Sequence, residues 1–434
     1  MSKISEQIVI NGGCQLRGTI NAPPSKSHTH RTLIAASLSG QTSRIENASL
    51  CDDTRATMVA AEAYGAEVRL QGGSLIVKGT DCIKLPFDVV NCGESASTMR
   101  FVTPILAHAE GISIVTGGAS LRQRPMQSLI DSLKQLGVQC YSTRNNGQAP
   151  LIIVGGTYNG GRVKIRGDVS SQFISGLLFS ASVASKPTYI EVTTALDSSP
   201  YVRMTLEILK CHGVMVDSNA DLTEFSVQGE QSVKPHNHLI EGDYSSTAFL
   251  LAAAALTGSR IGVSGLQTSR SLQGDQRILS LLKDMNVEVE VGNGSVRIRP
   301  SHLAAIVMDA GDCPDLVPPL AAMACYAHGK TKIMNAGRLR AKESNRLAAL
   351  SSELKKMGAE MQETGDGLEI VGGVILEGAS VSSHNDHRIA MACSIAALGA
   401  RGVTVVDDAK CIAKSYPGFF DDLISLGGDI HGRE

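Results

Sequence analysis

Tryptophan is absent from this chain, and aromatic residues together make up only 4% of it. A platform for stacking nucleic-acid bases therefore has little material. An excess of either charge is also missing: 40 Lys and Arg stand against 42 Asp and Glu. A global polyanion-binding surface is not expected, and any anion site must be local. The longest apolar runs, such as Ala248 to Leu256, fall far short of the roughly 20 residues that span a bilayer. Residues 1–10 contain no long apolar h-region, so neither a secretory signal nor an anchor is expected. The ten cysteines form no CxxC pair. Cysteines in a large chain without a signal read as reduced, mostly buried thiols, and a cytoplasmic location follows as the expectation. No GxGxxG or GxxxxGK[ST] opens a helix, which leaves dinucleotide and P-loop sites unsupported.

What is present is repetition. The 434 residues exceed what one core usually serves, so two domains are expected. A helical pattern ending in Gly, followed by short strands, recurs from Ala61 (AEAYGAEVRLQGGSLIVKG), Leu133, Leu209, Leu282, Leu354 and Leu423 (LISLGGDI). The Gly, replaced by Asn286 in the fourth copy, falls where a helix end needs a left-handed residue. A spacing of about 70 residues is too long for a solenoid, whose repeats run at roughly 20–50. A second element keeps the same spacing: a polar residue opens an apolar helix in SKSHTHRTLIAA, GESASTMRFVTPILA, GDVSSQFISGLLFSA, GDYSSTAFLLAAAA, GDCPDLVPPLAAMA and NDHRIAMACSIAAL. Ser, Asp and Asn are N-cap residues. Helices that are apolar all round are buried ones.

The fold expected is α/β, two domains, each of three repeated βαβαββ units with buried helices. In the fourth unit the first strand is expected in HLIEGD. The sixth unit lacks closing strands, and the N-terminal pair QIVI and QLRGTI is expected to supply them as a hairpin. One domain then covers residues 22–238, and a discontinuous one covers 1–21 and 239–434. Helix N-termini gathered at equivalent places offer free N–H groups and partial positive charge, suited to phosphate and carboxylate. A ligand with several anionic groups, lying between the domains, is the natural expectation.

Basic residues cluster near those helix starts: Lys26, Arg31, Arg100, Arg124, Arg340, Lys342, Arg346, Arg388 and Lys414. Any one alone is more often a solvated charge. Flanked by Gly, Ser and apolar helix, several are expected to be partly buried, and buried cations need anions. Ser170, Ser171 and Gln172 make a neutral polar triplet that is either a plain N-cap or a ligand contact. Asp315 reads as a helix cap or a proton acceptor, and Glu343 as an ion-pair partner or a second one. His28, His30, His384 and His387 lack a third ligand at metal spacing, so no metal is expected.

The motifs PSKSHTHR, GESASTMR, RPM, SSQF, SSPYVRMT, EGDYSSTAF, PDLVPPLA, RAKESNR, DHRIAMA and KCIAKSYPGFF resemble, in order and over essentially the whole chain, those of the EPSP synthase family. The resemblance implies the enolpyruvyl transferase fold, two domains of three βαβαββ units. It also implies an activity, transfer of the enolpyruvyl group of phosphoenolpyruvate to the 5-hydroxyl of shikimate 3-phosphate, on the route to aromatic amino acids. Carried over by position, Lys26 would contact both substrates, and Ser27 and Arg31 the shikimate part. Ser170, Ser171 and Gln172 match a ligand triplet, with Ser on the 3-phosphate and Gln near the enolpyruvyl. Ser198 matches a phosphate-binding Ser. Arg124, Arg346, Arg388 and Lys414 match the phosphoenolpyruvate cradle, and Lys342 a shikimate-side contact. Asp315 matches the residue bonded to the attacking hydroxyl and Glu343 the second catalytic carboxylate, with Lys26 a further candidate for proton transfer.

The implied chemistry is addition–elimination without metal or organic cofactor. The implied partners are these two small molecules, not nucleic acid or membrane, and a monomer is expected. Three departures from the family's pattern stand out. Ala96 stands where Gly is usual beside the phosphoenolpyruvate site, Arg338 stands where some members have Asn, and the first motif reads SHTHR rather than the commoner SISNR or SISHR, which places His28 and His30 near the site. The alternatives are a UDP-N-acetylglucosamine enolpyruvyl transferase, whose loop cysteine has no counterpart near Arg124, and a phospho-ligand binding module without catalysis.

Overall fold

The computed structural model describes residues 5–433; the first four residues of the expected 1–21 segment and Glu434 lie outside them. The chain divides into two compact units, one of Pro24–Ile240, the other of the residues up to Pro23 together with those from Glu241 onward. Among the described residues the strands form six four-stranded sheets, three in each unit. The second unit of the series gives the pattern. Strand Val90–Asn91 leads through helix Ala96–Ile105 to Gly111–Thr116, which lies parallel to the first strand. Helix Gln127–Gln135 follows, and Gln139–Ser142 and Leu151–Gly155 close the sheet antiparallel.

Local chemistry explains the helix boundaries. Ser25, Ser95, Ser170, Asp243 and Asp386 each accept a backbone N–H of the helix they open, satisfying donors that a helix start leaves unpaired. After the amphipathic helices, Gly65, Gly137, Gly213, Asn286, Gly358 and Gly427 all hold positive φ, as the repeat pattern requires. The helices behind the polar starts are buried as expected. Every residue of Tyr244–Leu256 is buried, and the helix packs with Val317–Ala324 and His387–Gly399.

The N-terminal pair corrects the expectation. Gln7–Asn11 and Arg17–Asn21 do not pair with each other. The first lies between Val403–Asp407 and Ile430–Arg433, in the sixth unit's sheet. The second runs parallel to Arg260–Ser264, in the fourth unit's sheet. The place expected for HLIEGD is thereby taken, and His238–Leu239 instead runs parallel to Thr42–Glu46 in the first unit. Two forces account for this. The link between the pair is bound elsewhere: Gly12 N donates to Gly402 O, and Gly13 and Cys14 N donate to Leu398 O. A Cβ at Gly12 would sit 2.0 Å from Ala400 O, so only glycine permits that approach. Arg17–Asn21 also offers a five-residue ladder, whereas His238–Leu239 offers two residues. The sixth unit is closed by one N-terminal strand and by Ile430–Arg433, which continues the last repeat.

Candidate active site

In the unit of Pro24–Ile240, Lys26 is the first residue of helix Lys26–Ser37. Its Nζ lies 2.8 Å from Asp53 Oδ2, and both side chains are largely buried. Asp53 sits in the first turn of helix Asp52–Ala63, where the helix dipole favours a carboxylate. One turn beyond Lys26, Arg31 is only 2% exposed. Its Nε donates to Thr205 Oγ1 (2.9 Å) and Tyr201 O (3.2 Å), and its Nη1 to Ser27 O (3.0 Å). The guanidinium lies over the rings of Phe101 and Tyr201. Burial pulls its pKa down to about 10. Every partner is uncharged, an arrangement that leaves a buried cation wanting an anion.

Ser170, Ser171 and Gln172 open helix Ser171–Ala181, with Ser170 as its cap. Ser170 is more than a cap. Arg100 Nη1 donates to Ser170 Oγ (3.1 Å) and Gln172 Oε1 (2.8 Å), and Gln172 Nε2 donates to Ser97 Oγ (2.8 Å). Arg100 thus ties the triplet to helix Ala96–Ile105, whose first residue, Ala96, is 8% exposed. Glu94 accepts from Ser120 Oγ (2.5 Å) and Leu121 N (2.9 Å), which folds the short turn leading to the buried Arg124. Ser198 has left-handed backbone, and its side chain does not cap helix Ser199–Cys211.

In the other unit the cluster centres on Arg346, 2% exposed at the start of helix Arg346–Lys356. Its Nε donates to Asp386 Oδ2 (2.9 Å), its Nη1 to Asp315 Oδ1 (3.0 Å) and its Nη2 to Glu343 Oε2 (2.5 Å). Arg388 grips Asp315 from the other side: Nη2 lies 3.1 Å from Oδ2, and Nη1 donates to the Asp315 carbonyl (3.1 Å). Asp315 sits in the short turn Pro314–Leu316 and caps no helix, which removes the cap reading. Lys414 Nζ donates to Asn385 O at 2.6 Å.

The electrostatics follow from this packing. Burial alone would raise the Asp315 pKa, but Arg388, Lys342 and Arg346 hold it well below the usual carboxylate range. Burial would strip the Arg346 proton, but Asp386, Glu343 and Asp315 drive its pKa upward. Lys342 goes the other way. Burial, helped by Arg346 and Arg338 and opposed by Asp315 and Glu343, lowers it to about 7. Asp386 is fully buried, caps helix His387–Gly399 and anchors Arg346. Asp315 retains 28% exposure and Glu343 10%, so each of these two carboxylates keeps part of its surface toward solvent.

Direct contacts join Arg31 to Ser27, Arg100 to Ser170 and Gln172, and Arg346 to Asp315 and Glu343, with Arg388 also on Asp315. Arg340 is spent on Glu363 (2.6 Å) and the Thr364 carbonyl. Three further residues enter that sequence reading did not single out: Asp53, Glu94 and Asp386. Their signal was position: an acid in a helix's first turn, or a residue inside a motif already noted for another.

A family model described as EPSP synthase (3-phosphoshikimate 1-carboxyvinyltransferase) matches residues 10–423. A 3-phosphoshikimate 1-carboxyvinyltransferase of Methanococcus maripaludis is 39% identical over 427 residues, 98% of this chain and 99% of that protein. One of Methanocella arvoryzae is 44% identical over 416 residues, 95% and 97% of the two chains. Among solved structures, an EPSP synthase from Acinetobacter baumannii superposes with a TM-score of 0.80 at 26% identity, covering 98% of this chain and 99% of that one. The enolpyruvyl transferase NikO of Streptomyces tendae, at 20% identity and TM-score 0.79, shares the fold.

Proposed function

The chain belongs to the EPSP synthase family, and from that premise we propose how its residues divide the work of transferring the enolpyruvyl group of phosphoenolpyruvate to shikimate 3-phosphate. It is an enolpyruvyl transferase of the shikimate pathway that leads to aromatic amino acids, and its substrates are small molecules. The observation that carries the assignment of roles is the pair Asp315 and Glu343, both held on the buried guanidinium of Arg346. Two carboxylates fixed on one cation, beside Arg388 and Lys342, suit a reaction that moves protons next to multiply charged ligands.

Lys26, Ser27 and Arg31 take the shikimate ring and its neighbourhood. Ser170, Ser171 and Ser198 take the 3-phosphate, and Gln172 is directed at the enolpyruvyl by Arg100. Arg31 supports this reading because its hydrogen-bond partners among the described residues are neutral. Arg124, Arg346, Arg388 and Lys414 receive phosphoenolpyruvate, Ala96 lines its cavity, and Lys342 contacts the shikimate side. The 5-hydroxyl attacks C2 of phosphoenolpyruvate while C3 gains a proton. The tetrahedral adduct then expels phosphate as C3 returns that proton. Asp315 orients the hydroxyl and takes its proton, and Glu343 with Lys26 serves C3. The cations neutralise the departing phosphate, so the chemistry runs without a metal or organic cofactor.

A cytoplasmic monomer is part of the proposal. The ten cysteines are all free thiols, as a reducing compartment would keep them. No described helix is long and apolar enough to cross a membrane. Phosphate release from phosphoenolpyruvate, measured with and without shikimate 3-phosphate, tests the whole reading. Release that depends on shikimate 3-phosphate is expected. Release without it, or none with both, would overturn the assignment.

A further inference from the structure

Glu353 lies seven residues after Arg346 on helix Arg346–Lys356, about two turns along the same face. Its side chain is 2% exposed. The two carboxylate oxygens take up four donors: Lys356 Nζ at 2.6 Å, Ser382 N at 2.8 Å, His384 Nε2 at 2.8 Å and Ser352 Oγ at 2.9 Å. A buried carboxylate survives only when its lone pairs are met in this way. Two of the four donors belong to one short segment, Ser382–Asp386. The far end of that segment is held by the same helix, since Arg346 Nε donates to Asp386 Oδ2 at 2.9 Å. One helix face therefore grips both ends of the segment.

Between the two grips, His384 and Asn385 hold φ of 51° and 52°. Two consecutive non-glycine residues in the left-handed region persist only where their surroundings impose it. Asn385 turns its carbonyl and its side-chain oxygen toward Lys414 Nζ, at 2.6 and 3.3 Å. Lys414 is 8% exposed, and the direction of its ammonium depends on where those two oxygens stand.

We propose that Glu353 is a positioning residue for Lys414: by clamping Ser382 and His384 it sets the left-handed His384–Asn385 turn, whose oxygens aim the Lys414 ammonium at phosphoenolpyruvate. The proposal rests on the reading of Lys414 as a phosphoenolpyruvate contact. A purely structural staple would give the same buried contacts but no preference between the two substrates, and that difference is measurable.

The experiment compares KM for each substrate and the melting temperature in Glu353→Gln, His384→Ala, Lys414→Met and the double variant Glu353→Gln/Lys414→Met. Gln keeps the size but turns an N–H₂ toward the donors. Glu353→Gln is expected to raise KM for phosphoenolpyruvate roughly 10-fold, the size of one lost charged hydrogen bond, and KM for shikimate 3-phosphate less than about twofold. His384→Ala removes one of the four bonds and is expected to act in the same direction to a smaller extent; it carries the test if Glu353→Gln does not fold. In the Lys414→Met background Glu353→Gln is expected to add nothing, because coupled residues are not additive. Equal rises in both KM values would overturn the proposal, as would an undiminished effect in that background, or a lower melting temperature with unchanged KM for phosphoenolpyruvate. If Lys414→Met alone leaves that KM unchanged, the role of Lys414 falls first, and the proposal with it.

Discussion

The Lys26 ammonium is held 2.8 Å from the Asp53 carboxylate, so the side chain proposed to meet both substrates is aimed before either arrives. Asp53→Asn keeps the shape and removes the charge. Loss of a charged hydrogen bond typically costs ~1.5–3 kcal/mol, and turnover is expected to fall roughly 10- to 100-fold. Phosphate-release kinetics check this. Normal turnover in Asp53→Asn would mean that Lys26 needs no partner to act.

Arg31 is buried against neutral partners, which accords with its proposed role in binding rather than in stability. A buried cation without a counter-charge bears its desolvation cost uncompensated. Arg31→Met is therefore expected to melt no lower than the parent while binding shikimate 3-phosphate about 100-fold more weakly. Thermal denaturation and a binding titration separate the two effects. A large drop in melting temperature with intact binding would reverse the assignment.

The two carboxylates should separate from the cations around them. Asp315→Asn and Glu343→Gln each remove a charge and little volume. Each is expected to lower turnover ~10²–10⁴-fold, the usual worth of general acid–base catalysis, with shikimate 3-phosphate binding affected much less. Before ligand arrives, Asp315 is too acidic to be a good base, since Arg388, Lys342 and Arg346 outweigh its burial. Anionic substrates that engage those same cations would relieve it. Near-normal turnover in either folded variant would remove that residue from the mechanism.

Much of this was legible before any coordinates. Gly65 through Gly427 marked the helix ends because a left-handed residue can be read from identity alone. Ser25, Ser95 and Asp386 marked the starts for a similar reason. The exchange of Arg17–Asn21 and His238–Leu239 was not legible. Short strands carry no sign of which distant partner will pair with them, and the deciding contacts run from Gly12 and Gly13 to the end of a helix nearly 400 residues on. At the site, cations announced themselves within motifs. Asp53 did not, because an acid in a first helical turn has a sufficient local explanation in the helix dipole. Glu353 lay in a plain amphipathic stretch, and its role depends on a turn about 30 residues away.

Lys342 gives the site a pH dependence of definite sign. Its pKa, lowered by burial to about 7, places loss of its charge just above neutrality. A phosphomonoester has its second pKa near 6 and is about nine-tenths dianionic by pH 7, so above that pH the change comes mainly from the protein side. Binding of shikimate 3-phosphate is expected to weaken as pH rises from about 7 to 9 and to take up protons at pH 8, because the ligand favours the charged ammonium. Calorimetry in buffers of different ionisation enthalpy reads that uptake directly. Lys342→Arg keeps the charge throughout and should abolish both effects; an unchanged proton uptake in that variant would assign the titration to another group.

Ala96 begins its helix at 8% exposure, in the stretch that the family resemblance places against the phosphoenolpyruvate cavity. The same resemblance implies that glyphosate occupies that cavity, with a longer body than phosphoenolpyruvate. A methyl group in place of hydrogen intrudes on the longer ligand and spares the shorter one. Crowding a packed site typically costs ~1–3 kcal/mol, which is roughly 5- to 150-fold in affinity. Weak inhibition by glyphosate with nearly normal use of phosphoenolpyruvate is the expected behaviour. The competing outcome is a small shift of the helix start that makes room and leaves inhibition strong. Two features oppose such a shift. Ser95 caps the helix through Thr98 N at 3.3 Å, and Arg100 and Ser97, in its first two turns, are bonded to Gln172. Ala96→Gly is therefore the decisive comparison. Glyphosate should become clearly more potent in the Gly variant while KM for phosphoenolpyruvate stays close to that of the parent, and equal inhibition constants in the two proteins would sink the steric argument.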